Sequence, residues 1–186
     1  GETMDTIAAT ELLKENGAHV LALVNVVGSS LARMADSVFY LHVGPEIGVA
    51  STKAYLGMLV GQLLLAKHWD SANKLDVSFD EIAELPKLIE ETMDCEKQIK
   101  EISEKIYKKN DIYFIGRGLD YALAAEGALK LKEISYLHAE ALAAGELKHG
   151  TLALIEDGTP IIVTASQNHL LDKTTSNVQE VIARGA

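Results

Sequence analysis

The side chains best suited to chemistry lie between positions 126 and 150, in the stretch EGALKLKEISYLHAEALAAGELKHG. Glu126, Lys130, Lys132, Glu133, His138, Glu140, Glu146, Lys148 and His149 all fall in that span. The pattern predicts a helix over 120–136, with Leu123, Ala124, Leu129, Leu131, Ile134 and, just beyond it, Leu137 as apolar positions. Residues three and four apart on a helix share a face, so Glu126, Lys130 and Glu133 form a row of acid, base, acid. Two readings of this row compete. It is a solvated face tied by ion pairs worth about 0.2–0.5 kcal/mol each. Alternatively it is acid–base machinery, in which a lysine holds a substrate oxygen while a glutamate moves a proton. The residues that follow favour chemistry. His138 and Glu140 come next, then Gly145 and Gly150 flank a Glu-Lys-His cluster that reads as a helix end or a tight loop. Histidine is the side chain that titrates nearest neutrality.

A second cluster is VGPEIGVASTK at 43–53. Two glycines and a proline make it a loop, and Ser51 and Thr52 stand where the next helix begins. A loop ending in hydroxyls at a helix N-terminus can cradle a phosphate or sugar hydroxyls, or it can simply cap the helix. The spacing is not that of a P-loop. Thr3, at another helix start, has the same two uses.

The elements that must position these clusters alternate. A helix is expected over 1–16, stopped by Gly17. The apolar run HVLALVN at 19–25 reads as a strand buried on both faces. A turn at 26–30, a short helix at 30–35, a strand at 37–42 and a helix at 52–68 follow. Positions 69–80 are polar and read as a linker. Two mixed-charge helices come next, over 79–91 (broken in register near Pro86) and 93–110. The second half has a strand at 111–115, a Gly-Arg-Gly turn at 116–118, the helix at 120–136, an apolar stretch at 151–155, a strand at 160–166 and a helix at 168–183. Such alternation predicts an α/β protein with parallel sheets covered by helices in three layers. The strands fall in two groups, 1–73 and 74–186, which reads as two tandem units, each incomplete. Ligands in open sheets of this kind sit beyond the carboxyl ends of the strands. Loops 26–30, 43–52 and 116–119 lie there.

Composition narrows the classes. The 186 residues carry 17 Lys plus Arg against 27 Asp plus Glu, a formal net charge of −10, which argues against a nucleic-acid partner. A small anion remains compatible, because backbone amides at helix starts can hold a phosphate. No uncharged apolar run is long enough for a membrane helix, and no signal-peptide pattern is visible. A single cysteine, Cys95, cannot form an internal disulfide, and a reducing cytoplasmic setting is expected. No Cys or His cluster has metal-ligand spacing, and no cofactor is expected. The chain opens on Gly1 and closes on Arg184-Gly185-Ala186. It reads as a piece of a longer protein.

Several motifs together resemble a known family. They are GET at 1–3, NVVGSS at 25–30, GPEIGVASTKAY at 44–55, IGRGLDY at 115–121 and the 126–150 span. They are similar to the isomerase half of glucosamine-6-phosphate synthases, also called glutamine–fructose-6-phosphate transaminases (isomerizing), and the likeness is weakest over 67–109. That half consists of two sugar-isomerase (SIS) domains, each a parallel sheet flanked by helices. The resemblance implies conversion of fructose 6-phosphate and glutamine-derived ammonia to glucosamine 6-phosphate, in amino-sugar biosynthesis. It implies that Thr3 holds phosphate and that Val49 and Ser51 contact the sugar. Glu133 would carry the proton between C1 and C2, and Lys130 would assist at the sugar oxygens. His149 would assist ring opening from the neighbouring subunit of a homodimer. The partner of this half would be the glutaminase domain of the same parent chain. The family's Ser-Gln-Ser before GET, its C-terminal lysine and its glutaminase cysteine are absent here, so the fragment alone is expected to be inactive. Thr151 stands where the family has proline. Two rivals share the fold: a non-catalytic sugar-phosphate sensor, and a deglycase or deaminase acting on a phosphorylated amino sugar.

Overall fold

In the computed structural model, residues 1–70 and 74–186 are described. They form two compact units, Gly1–Asp94 and Cys95–Ala186. The unit boundary expected between positions 73 and 74 falls at the edge of 71–73, outside the described residues.

The first unit begins with helix α1 (Met4–Glu15). It ends as its sequence demands: Gly17 takes φ +79°, while its amide and that of Ala18 return to the carbonyls of Lys14 and Leu13. Strand β1 (Leu21–Val24) pairs in parallel with β2 (Ser37–Tyr40), Leu21 opposite Ser37 through Val24 opposite Tyr40. The short helix α2 (Ser30–Met34), capped by Ser29, links them. Both strands are shorter than expected. Helix α3 (Lys53–Trp69) packs close to them. A Cβ on Gly57 would lie 2.7 Å from Val43 Cγ1, and one on Gly61 would lie 3.0 Å from Leu23 Cδ2. The two glycines, four apart, give the helix a smooth stripe against the strands. The helix expected over 79–91 is two: α4 (Phe79–Ala83), started by a Ser78–Glu81 capping box, and α5 (Leu85–Met93). Pro86 sits in the first turn of α5, where its missing amide hydrogen costs nothing.

The second unit opens with helix α6 (Glu96–Ile106), shorter than its expected range. Strand β3 (Asp111–Gly116) is central in a three-stranded parallel sheet of order β4-β3-β5. Ile112, Phe114, Ala124, Ala128 and Ala139 pack on one face of β3. Tyr113, Ile115, Leu142, Ala144, Leu147, Ile155 and Val181 pack on the other. Alternate residues of one strand thus feed two cores, as a sheet covered on both faces requires. Helix α7 (Leu119–Ser135) lies where the periodicity places it. Strand β5 (Ile161–Val163) is shorter than its predicted run, and helix α8 (Leu171–Ile182) follows a 3-10 turn at Asn168–Leu170.

One element is new. Residues expected only to follow helix α7 form strand β4 (His138–Ala143), paired with β3 from Asp111–His138 through Gly116–Ala143. The segment HAEALA lacks β-branched residues and favours helix by propensity. The β3–α7–β4 crossover makes it a strand. No described helix is long and apolar enough to cross a membrane.

Candidate functional site

In the first unit the loops at the carboxyl ends of β1 and β2 border a cavity of about 480 Å³. Thr3, Thr6, Asn25, Pro45, Glu46 and Met58 are among its lining residues. This size lies in the range of small-molecule sites. Asn25 ties the two loops: its Nδ2 donates to the Gly44 carbonyl at 2.7 Å, and its Oδ1 accepts from the Val43 amide at 3.1 Å.

Three helix starts meet these loops, and two are filled by the protein's own carboxylates. Glu46 Oε1 accepts from the Thr52 amide (2.8 Å), the Lys53 amide (3.1 Å) and the Thr52 hydroxyl (3.2 Å) at the start of α3. These bonds, the Thr52 amide foremost, hold the Glu46 carboxyl below the usual range. Glu2 Oε1 accepts from the Ser30 amide at 2.8 Å at the start of α2. The cradle read into 51–52 is therefore occupied from within. At the start of α1, Thr3 takes an extended conformation and its side chain makes no capping bond. Thr3 is exposed and lines the cavity wall. Ser51 is half-buried and Val49 is 96% exposed; neither lines the cavity.

In the second unit Lys130 does sit between its two carboxylates. Its Nζ lies 2.7 Å from Glu133 Oε2 and 3.4 Å from Glu126 Oε1, and the three side chains are 21–30% exposed. Glu133 first, then Glu126, raises the Lys130 pKa above its ordinary value. Lys130 is thus a cation at neutral pH. A substrate oxygen that took its place against Glu133 would leave that carboxylate free to accept a proton.

The rest of the 126–150 span is divided by β4. Helix α7 leaves the carboxyl end of β3 and returns to the amino end of β4. Lys130 and Glu133 occupy its last two turns. At that same end His138 Nδ1 lies 2.7 Å from Asp111 Oδ1, both side chains being more than half exposed. His149 ends the 3-10 turn Ala144–His149, which follows the carboxyl end of β4. Strand β4, six residues long and so about 17 Å from end to end at 3.3 Å per residue, lies between Glu133 and this turn in the chain. Glu133, near the end of α7, and His149, in the turn after β4, thus belong to different elements of one motif, with the whole of β4 between them in the chain.

Sequence reasoning passed over Asn25, Glu46 and Asp120. Asp120 is 1% exposed in the first turn of α7. It accepts from the Ser166 hydroxyl (2.5 Å), the Ser166 amide (3.0 Å) and the Gln167 amide (3.3 Å), which pins the helix start to the loop after β5. The Ser166 hydroxyl is the main reason its carboxyl lies below the usual range. An acidic residue just after Gly-x-Gly at a helix start was a readable signal. Glu46, six and seven residues from the amides it caps, had none.

Comparison with known proteins fits this arrangement. The family model described as "SIS domain" matches residues 1–67 and 105–186. A glutamine–fructose-6-phosphate aminotransferase (isomerizing) of Clostridium tetani is 50% identical over 192 aligned residues, covering all of this chain and 32% of that one. The protein of the same name from Pyrococcus horikoshii is also 50% identical, over 187 residues, with 31% of its length covered. The chain thus spans about a third of these curated relatives. Among solved structures, the C-terminal domain of glucosamine-fructose-6-phosphate aminotransferase from Francisella tularensis superposes with a TM-score of 0.84 at 42% identity. That match covers 99% of this chain and 54% of the other. With parallel sheets flanked by helices and a family match over most of its length, this chain belongs to the SIS-domain family.

Proposed function

We propose that this chain is the isomerase part of a glutamine–fructose-6-phosphate aminotransferase. The observation that carries the reading is the Lys130–Glu133 pair at 2.7 Å, in a chain similar along its whole length to enzymes of that name. Ammonia released from glutamine elsewhere in the parent protein condenses with the C2 carbonyl of open-chain fructose 6-phosphate, and water leaves. Glu133 then takes the C1 proton and returns it to C2. As the imine nitrogen gains a proton and the C1 hydroxyl gives one up, the double bond passes from C2=N to C1=O, giving the open-chain aldehyde of glucosamine 6-phosphate. Lys130 stabilises charge on the sugar oxygen as the proton moves.

Thr3 offers its hydroxyl to the phosphate. Val49 and Ser51, in the loop held by Asn25 and Glu46, contact the sugar. His149 assists ring opening. It sits in the turn after β4, a separate element from the helix that carries Glu133, which is compatible with a role in the site of a neighbouring copy, and the parent protein is accordingly a homodimer in this reading.

The test is complementation in cells that cannot make glucosamine 6-phosphate. The parent gene is supplied as wild type and as Glu133→Gln, with soluble expression verified for both. Growth with wild type and none with the variant is expected. Growth with both makes Glu133 structural. Growth with neither moves the sensor or deaminase reading ahead.

A further inference from the structure

Four side chains of the second unit form a line of contacts that the proton chemistry leaves unused. Arg117, just after β3, donates from Nη1 to Asn177 Oδ1 on α8 at 2.8 Å. Asn177 Nδ2 donates to Glu180 Oε2 at 3.2 Å. Glu180 Oε1 meets Lys148 Nζ at 2.9 Å. Asn177 is buried, and the Glu180 side chain is only 15% exposed. The guanidinium of Arg117 also lies over Gly145, where an added Cβ would be 3.1 Å from both terminal nitrogens. The line therefore holds the 3-10 turn Ala144–His149 at two points, Gly145 and Lys148.

That turn needs holding. A 3-10 segment has poor hydrogen-bond geometry and little stability of its own. Its buried Leu147 anchors one side of the turn. Lys148, next to His149, is tied to α8 by Glu180. An exposed lysine on an exposed carboxylate would contribute little. Here one carboxylate oxygen is fixed by Asn177, so the other has a defined position. We infer that Glu180, oriented by Asn177 and Arg117, is a positioning residue for His149 and acts through Lys148. The inference rests on the role given to His149 above.

The experiment uses the full-length parent enzyme. Glucosamine 6-phosphate formation is measured for Glu180→Gln, Lys148→Met, the double variant, His149→Ala, and His149→Ala combined with Glu180→Gln. Misplacing a reacting group by an ångström can cost as much as about a hundredfold. Glu180→Gln is expected to lower kcat about tenfold or more, with KM for fructose 6-phosphate and Tm close to wild type. Lys148→Met costs the same, and the double variant costs no more than either. In the His149→Ala background Glu180→Gln has no further effect. Three results overturn the inference: wild-type kcat in Glu180→Gln, equal losses with and without His149, or losses that add between Glu180 and Lys148. If Glu180→Gln is not soluble, the exposed Lys148→Met carries the test alone, and wild-type kcat there overturns it. Wild-type kcat in His149→Ala removes the role of His149 as well, so the two failures are told apart by which variant keeps its rate.

Discussion

At the residue scale, two buried hydroxyls are at odds with the packing around them. Thr151 Oγ1 and Thr174 Oγ1 are buried without a hydrogen-bond partner among the described residues. Thr174 is 2% exposed on α8. An unsatisfied buried polar group costs about 1–3 kcal/mol. Thr174→Val keeps the branched shape and removes the hydroxyl, so it should stabilise the protein by about 1 kcal/mol. A denaturant midpoint that moves up with an unchanged slope would bear this out; a drop would mean the hydroxyl has a partner. Lys130 behaves in the opposite way. Its raised pKa means that its ion pairs contribute below the unfolded-state value near 10.4 and are lost only as pH climbs through the still higher folded value. No loss of activity between pH 6 and 9 should trace to this lysine, and Lys130→Arg should leave the basic limb of the rate profile unmoved.

At the element scale, the start of α7 depends on Asp120. Its carboxyl is held below the ordinary range chiefly by the Ser166 hydroxyl. The folded form therefore binds a proton less readily than the unfolded chain, and the stability gained is full above about pH 4. It is lost as pH falls through the lower folded value. Asp120→Asn should destabilise the protein at neutral pH and flatten the fall in stability on acidification. Urea midpoints at pH 7, 5, 4 and 3 for both forms check this. An acid limb as steep in the variant as in wild type would assign that loss to other carboxylates. The same helix shows why the 126–150 span looked continuous in sequence. Its last turns carry Lys130 and Glu133, and one strand length later comes His149.

At the scale of the molecule, both sheets have open edges in this chain. Strand β2 and helix α3 border an apolar cavity of about 450 Å³. Strand β5 and helix α8 border another, of about 380 Å³. Unpaired strand edges beside apolar surface favour association with other chains. The isolated 186-residue chain should therefore show a mass above that of a monomer that rises with concentration in light scattering. Lysine at outward-facing positions of β2 and β5 should suppress it. A monodisperse monomer at high micromolar concentration would show that the edges are shielded.

Much of this was legible in the sequence. The strands at 21–24 and 111–116 announced themselves by apolar runs. Helix α7 followed from its 3.6-residue period, and the Glu126–Lys130–Glu133 row followed from that helix, because spacing on one helix is a local property. Helix stops were written by Gly17, and the break in the 79–91 region by Pro86. Strand β4 was not legible. Alanine, glutamate and leucine favour helix, and only the pairing with β3 overrides that preference. The carboxylates at two helix starts were hidden too: Glu46 reaches amides six and seven residues away, and Glu2 reaches one 28 positions on. The loop that Asp120 binds, more than forty positions on, was equally out of reach. The tertiary structure alone decided that Thr3 lines the cavity of the first unit and that a strand, β4, lies between Glu133 and His149. Distance along the chain says which groups are near in sequence; the direction in which a strand carries the chain says which can meet.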